Sequence, residues 1–232
     1  MSKKICVIVG GAQIKDYEAV RASVLSYADS VQSKAGFSND TAETGIFTIF
    51  CDCGFRHAKG LGLKPDLIVG DFDSSSDPGL DVETIVLPRQ KDDTDTFFAA
   101  KEALRRGFDE FILVGVIGER FDHSLGNISI LLYIYKNKKH GIIIDDYSQM
   151  QIVGKDPVFI DECCGYFSLL CVNGTARGVY ISNAKYPLEG KDIFPEFQYG
   201  ISNEVIPGQI AKVFVNEGLL LLIKVNRTDD SA

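Results

Sequence analysis

Two aspartates, Asp71 and Asp73, close the run DLIVGDFD at residues 66–73. In an extended chain, residues two apart point the same way, so the two carboxylates share a face. Carboxylates held that close repel each other unless a cation lies between them. The hard cation that suits them is Mg²⁺, which takes oxygen ligands and commonly arrives with substrate phosphates. The competing reading is a polar turn, because Ser74 to Gly79 continues with turn-forming residues.

Other acids recur in the same kind of place. Asp52 follows the apolar run IFTIFC, and Asp145-Asp146 follow Ile142 to Ile144. Asp92, Asp93 and Asp95 crowd a helix start in KDDTD, where capping and the helix dipole account for one or two acids but not three. Arg120 and Asp122 sit after the run FILVGV, and a guanidinium fork matches phosphate oxygens. Asp122 also reads as a helix cap and His123 as an exposed helix residue. Cys51 and Cys53 lack the further Cys or His ligands that a soft-metal site needs, and His57 reads as a polar group at a helix start. Repeated in a strand–helix alternation, these acids point to a multi-carboxylate site along one sheet edge.

The elements that would position them follow from periodicity. Lys4–Val9, Ile46–Cys51, Leu67–Val69, Glu83–Leu87, Glu110–Val116 and Ile142–Ile144 read as strands. Between them, Val20, Val24, Tyr27 and Val31 recur at helical spacing, as do Phe97, Ala100, Lys101 and Leu104, and then Leu125, Ile128, Leu131, Leu132 and Tyr135. The pattern predicts a mostly parallel, Rossmann-like α/β sheet over residues 1–147. Neither GxGxxG nor GxxxxGK is present, so the common nucleotide fingerprints are absent. After Tyr147 helical periodicity stops. Short strands are predicted at 149–153, 157–161, 166–172, 177–182, 197–201, 210–215 and 219–225, with a long connection over 183–209 and a hairpin turn at Asn216-Glu217-Gly218. Residues 148–232 are therefore expected to form an antiparallel β-sandwich, with a barrel as the alternative.

The chain's 232 residues suffice for two modest cores, and 45% hydrophobic with 24% charged content marks an ordinary globular protein. A net charge of −8 with no basic stripe argues against a nucleic-acid partner. No run reaches transmembrane length, and the first apolar run ends at Val9 without a cleavage pattern, so no membrane association is expected. The six cysteines form no CxxC pair and fit buried cytoplasmic thiols better than disulfides or zinc.

Four stretches taken together resemble the thiamin pyrophosphokinase family: VGDFDSS at 69–75, KDDTD at 91–95, GVIGERFDHSLGNISIL at 115–131, and KYPLEG with GISNE at 185–190 and 200–204. The chain departs from the family pattern at Cys53 and Phe55, where Gly and Ala are common, and at Glu119, where a second Gly is common. The resemblance implies a cytoplasmic, homodimeric, Mg²⁺-dependent enzyme that moves the pyrophosphoryl unit of ATP to the hydroxyl of thiamin, leaving AMP. It implies Asp71, Asp73 and Asp95 as metal ligands, Asp52, Asp92, Arg120, His123 and Asn127 on the nucleotide, and Asp122, Ser202 and Asn203 toward thiamin. Residues 1–147 would be the catalytic domain. Residues 148–232 would bind thiamin, dimerise, and reach into the partner's site. Asp95 and Asp122 both remain candidates for the general base. A Mg²⁺-dependent nucleotide pyrophosphohydrolase and a non-catalytic thiamin or phosphate sensor are the alternatives.

Overall fold

The structure, a computed structural model, describes residues 3–34, 45–71, 81–88, 90 and 92–226. Asp73 and Lys91 lie outside the described residues. The chain divides into two units, 1–146 and 147–232.

In the first unit, strands β1 (Ile5–Val9), β2 (Ile46–Cys51), β3 (Leu67–Gly70), β4 (Glu83–Val86), β5 (Glu110–Val114) and β6 (His140–Ile144) lie in the order β4-β3-β2-β1-β5-β6. Every pairing among these six is parallel. The helices are α1 (Tyr17–Lys34), the short α2 (Ala58–Leu61) that continues a 3₁₀ turn at Asp52–His57, α3 (Asp95–Arg105) and α4 (Phe121–Lys136). Continuous apolar runs make the central strands: all of β1, β3 and β5 is buried. Val20, Val24, Ala28 and Val31 bring one face of α1 onto β1, β5 and β6.

Polar groups set the registers. Asp66 Oδ2 accepts from Thr48 N at 2.7 Å, which locks the start of β3 to β2. The buried Glu110 carboxylate accepts from Lys3 Nζ at 2.6 Å and Tyr27 Oη at 3.1 Å. Burial first, and Glu110 second, push the Tyr27 phenol well above its ordinary value. Thr94 Oγ1 caps α3 by accepting from Phe97 N at 3.2 Å, so the cap is the threonine and none of the neighbouring aspartates. Asp146 Oδ1 accepts from Lys15 N at 3.0 Å and Asp16 N at 2.8 Å, tying the end of β6 to the start of α1.

Glu102 on α3 is only 8% exposed and takes hydrogen bonds from Arg105 and Arg106, each at 2.7 Å. Arg106 also reaches Glu83 on the edge strand β4. The Arg105 bond first, opposed by burial and helped by Arg106, holds the Glu102 carboxyl at about 2. A depressed carboxyl stabilises the fold above its unfolded value of 4.5, and that stability drains as pH falls from 4.5 toward 2. Glu102→Gln should therefore cost about 1–3 kcal/mol at pH 7. The gap to the parent should narrow at pH 3.5, read from urea midpoints at the two pH values.

The second unit holds β7 (Ser148–Val153), β8 (Val158–Ile160), β9 (Cys164–Cys171), β10 (Ala176–Ser182), β11 (Leu188–Ile193), β12 (Ala211–Glu217) and β13 (Leu220–Asn226). Within the unit they pair antiparallel as β7-β13-β9 and β11-β10-β12-β8. Phe167, Leu169, Leu220 and Leu222 from the first group share one core with Val179, Ile181, Val213 and Val215 from the second, which makes a sandwich. Three expectations are corrected here. The stretch 188–193, expected as connection, is an edge strand. Its sequence LEGKDI is largely exposed and carries no alternation to betray it. Residues 197–201 form no strand; they contribute an isolated bridge, Phe194 to Phe197, and Gly200 O, which accepts from Leu169 N of β9 at 2.8 Å. The turn at 216–218 closes no hairpin: β12 pairs with β10 and β8 while β13 pairs with β7 and β9, so the turn carries the chain between sheets.

Candidate active site

The strand order reverses beside β1: β2, β3 and β4 run outward on one side, then the chain returns to place β5 and β6 on the other. Open α/β sheets bind ligands at such a switch point, beyond the carboxyl ends of the strands. A cavity of about 810 Å³ lies there, walled by the segments after β1, β2, β3 and β5 and by the starts of α3 and α4. Its floor needs close backbone approach. Gly10 N donates to Val114 O at 2.9 Å and Ala12 N to Gly115 O at 2.8 Å. Gly115 has φ +62°, and a Cβ there would stand 2.6 Å from Gly10 O.

Among the described residues, three aspartates line this cavity: Asp52, Asp71 and Asp95. Cys51 and Val69 are register partners, so Asp52 and Gly70 come side by side and Asp71 follows at once. A Cβ on Gly70 would stand 3.1 Å from both Cα and Cβ of Asp52. Asp52 holds a left-handed φ of 40°, a conformation that costs a non-glycine residue free energy and clusters at functional sites. Asp95 joins them from the first turn of α3. The Cys51 thiol is pushed up by burial, then by Asp95, and more weakly by Asp52, so both acids bear on one strand end. Among the described residues, no three His, Cys, Asp or Glu side chains converge closely enough to hold a metal by themselves.

Arg120, His123 and Asn127 also line the cavity. Arg120 forks onto Asp122 at 2.9 and 2.6 Å, and this bond holds the exposed Asp122 carboxyl far below the usual carboxylate range. Asp122 is neither on the cavity wall nor the cap of α4. Asn127 is buried, with Nδ2 donating to Val116 O at 2.7 Å, so it fixes the loop after β5. Asp92 is exposed and off the wall, and Asp145 and Asp146 are off it as well. The run of strand-end acids is thus a cluster of Asp52, Asp71 and Asp95 among the described residues, with the others serving elsewhere.

Arg56 and Tyr17 line the cavity without having been singled out, and His57, expected only as a polar group at a helix start, lines it too. Tyr17 Oη lies 2.8 Å from His57 Nδ1, and Arg56 Nε donates to His57 Nε2 at 3.3 Å. His57 is 2% exposed. Burial first, then Arg56, push its imidazole below the ordinary 6.5, against a weaker upward pull from the Ala12 backbone. With a lowered histidine pKa the unfolded chain takes the proton first, so stability falls as pH drops below 6.5. His57→Gln should flatten the stability–pH curve between pH 7 and 5.5, measured by urea unfolding.

In the second unit, Ser202 has φ +57° and its N donates to Ser168 Oγ at 3.1 Å. Asn203 is 4% exposed. Its Oδ1 accepts from Tyr186 N at 3.0 Å and Glu204 N at 2.9 Å, while Nδ2 donates to Tyr186 O at 2.8 Å. The Asn203 side chain is thereby a strut for the 184–205 loops. Tyr166, Tyr186, Phe197 and Tyr199 are exposed on this unit.

Comparison with known proteins identifies the family. The model of the thiamin pyrophosphokinase catalytic domain matches residues 39–144, and that of the thiamin pyrophosphokinase vitamin B1 binding domain matches residues 157–220. A thiamine pyrophosphokinase of Bacillus subtilis (strain 168) is 30% identical over 178 residues, covering 70% of this chain and 79% of that protein. The chain belongs to the thiamin pyrophosphokinase family. Its fold agrees with crystal structures of thiamin pyrophosphokinases. The Bacillus subtilis structure superimposes with a TM-score of 0.75 at 24% identity, over 97% of this chain and 100% of that one. The yeast enzyme gives 0.74 at 12% identity, over 97% and 87%. Thiamin pyrophosphokinases are transferases of thiamin diphosphate formation, with thiamin and ATP as the family's substrates. Among the described residues, no helix is long and apolar enough to cross a membrane.

Proposed function

We propose that the chain transfers the pyrophosphoryl group of ATP to the hydroxyl of thiamin, releasing AMP. The observation that carries this reading is the cluster of Asp52, Asp71 and Asp95 in one cavity with Arg56 and Arg120, at the sheet's switch point. Phosphoryl transfer asks a protein chiefly for positioning and charge neutralisation. The thiamin oxygen forms a bond to the β-phosphorus, the bond from that phosphorus to the α,β-bridging oxygen breaks, and AMP leaves with that oxygen. The hydroxyl proton passes to a carboxylate. Asp122 suits that role poorly, because its carboxyl is committed to Arg120 and strongly acidified by it; Asp95 would serve with one carboxylate oxygen while the other faces the cation.

The donor set fits Mg²⁺: carboxylate oxygens too few to cage a cation suit a metal that keeps waters and shares substrate phosphates. Asp71 and Asp95 would hold it, with Asp73 as the third ligand that the motif resemblance implies. Bound Mg²⁺ supplies neutralisation of phosphate charge. Residues 1–147 serve catalysis in this reading and 148–232 serve thiamin, through Ser202 and the loops that Asn203 braces. The exposed apolar side chains Phe197, Tyr199 and Ile201 support a homodimer interface on the second unit, with active sites shared between subunits. The free cysteines and the need for ATP support the cytoplasm as the setting.

Incubation with ATP, Mg²⁺ and thiamin, followed by nucleotide separation, should yield AMP only when thiamin is present. ADP as the product would overturn pyrophosphoryl transfer. AMP formed equally well without thiamin would favour the hydrolase, and ATP bound without turnover the sensor.

A further inference from the structure

Arg56 lies on the cavity wall, exposed, four residues after Asp52 in the 3₁₀ turn that follows β2. Its Nη2 donates to Gly11 O in the loop after β1, and its Nε donates to His57 Nε2 at 3.3 Å. His57 is itself buried and bonded to Tyr17 Oη at 2.8 Å. The guanidinium is therefore pinned on two sides, by a carbonyl and an imidazole. Both acceptors are uncharged, His57 being held toward its neutral form by burial.

That separates Arg56 from the other arginines with a defined partner. Arg105, Arg106, Arg120 and Arg177 each pair with a carboxylate. Arg120, the arginine that the motif pattern singles out, spends its fork on Asp122. Arg56 makes no ion pair among the described residues, and two of its five N–H groups are used. Among the described residues, a positive charge with three N–H groups to give thus sits on a wall whose other charged side chains are Asp52, Asp71, Asp95, Glu119 and an Arg120 already forked onto Asp122. A pre-fixed guanidinium loses little freedom when it binds an anion, and its fork matches phosphate oxygens.

We infer that Arg56 is the cavity's principal polyphosphate grip, with His57 and Tyr17 as the props that aim it. The inference rests on the cavity being the ATP site. It makes Arg56 a binding residue for the phosphate chain, and His57 and Tyr17 positioning residues behind it.

The test is calorimetric titration of the full chain, without thiamin, using three probes in Mg²⁺ buffer: ATP, inorganic pyrophosphate and adenosine. Arg56→Gln keeps a donor of similar reach for Gly11 O but removes the charge. It should weaken ATP and pyrophosphate by about ten- to a hundredfold and leave adenosine within about twofold. Arg56→Lys should recover part of the loss, because it restores the charge without the fork. Equal weakening of all three probes would make Arg56 a mere loop prop, and unchanged affinities would remove it from the site. Either result overturns the inference while the parent still makes AMP. A parent chain that binds neither ATP nor pyrophosphate would overturn the reading of the cavity itself. A second measurement needs no variant. ATP and pyrophosphate should protect Arg56 of the parent from an arginine-selective dicarbonyl, followed by peptide mass spectrometry, and adenosine should not. Equal modification with and without pyrophosphate contradicts the inference.

Discussion

Asp71→Asn should lower turnover on the order of a hundredfold or more, in the range seen when one charge-stabilising group is lost from a transition state. The carboxamide is nearly isosteric but lacks the charge that a hard cation and its phosphates require. Asp71 comes directly after β3, at the carboxyl edge and beside Asp52, so the loss falls on the cavity rather than the core. Crowded carboxylates repel, so the variant's urea midpoint should hold or rise slightly. Added Mg²⁺ should not restore the rate. The matched control is Asp29→Asn on the exposed face of α1, which should keep parental turnover. If Asp71→Asn turns over like the parent at saturating Mg²⁺, Asp71 is a turn residue and the acid cluster loses its centre.

Gly115→Ala should destabilise the fold by about 2–4 kcal/mol, a large single-site effect. Two costs add. A left-handed φ of +62° disfavours any side chain, and the new Cβ would stand 2.6 Å from Gly10 O, a backbone atom that moves only with β1. Gly107→Ala separates the two terms. Its φ is +79°, but a Cβ there meets nothing within 4 Å, so it should show the conformational cost alone, about 1 kcal/mol. Equal shifts in urea midpoint for the two variants would mean that the loops after β1 and β5 yield without penalty.

The acids were readable because they follow buried apolar runs, and strand direction alone sends such residues to one edge. Local pattern could not say which of them meet. Asp52, Asp71 and Asp95 share a wall through the β2–β3 register and the cap on Thr94, while Asp146 looks the same in sequence yet serves the start of α1. Arg56 was missed for the same reason. In DCGFRH it is one more basic residue, and its meaning depends on Gly11, more than forty residues upstream. In the second unit, buried alternation revealed strands such as β10 and β12, whereas β11 is an exposed edge with charged residues in its middle. The role of the 216–218 turn depends on partners elsewhere in the chain, which no window around the turn contains.

The placing of β13 between β7 and β9 also bears on the order in which the protein takes shape as it is made. Strands β1 to β6 are complete once Ile144 has been synthesised, so the first unit can close early. The second cannot. β7 and β9 are each paired by Leu220–Asn226, and β8 is paired by Ala211–Val213, all far downstream. Until those residues leave the ribosome, three strands wait with open edges and apolar faces. A nascent chain stalled near residue 200 would carry a finished α/β unit trailing a β segment in which β7, β8 and β9 still lack their β12 and β13 partners. Chaperone demand during synthesis should therefore concentrate on that last stretch rather than on the catalytic sheet.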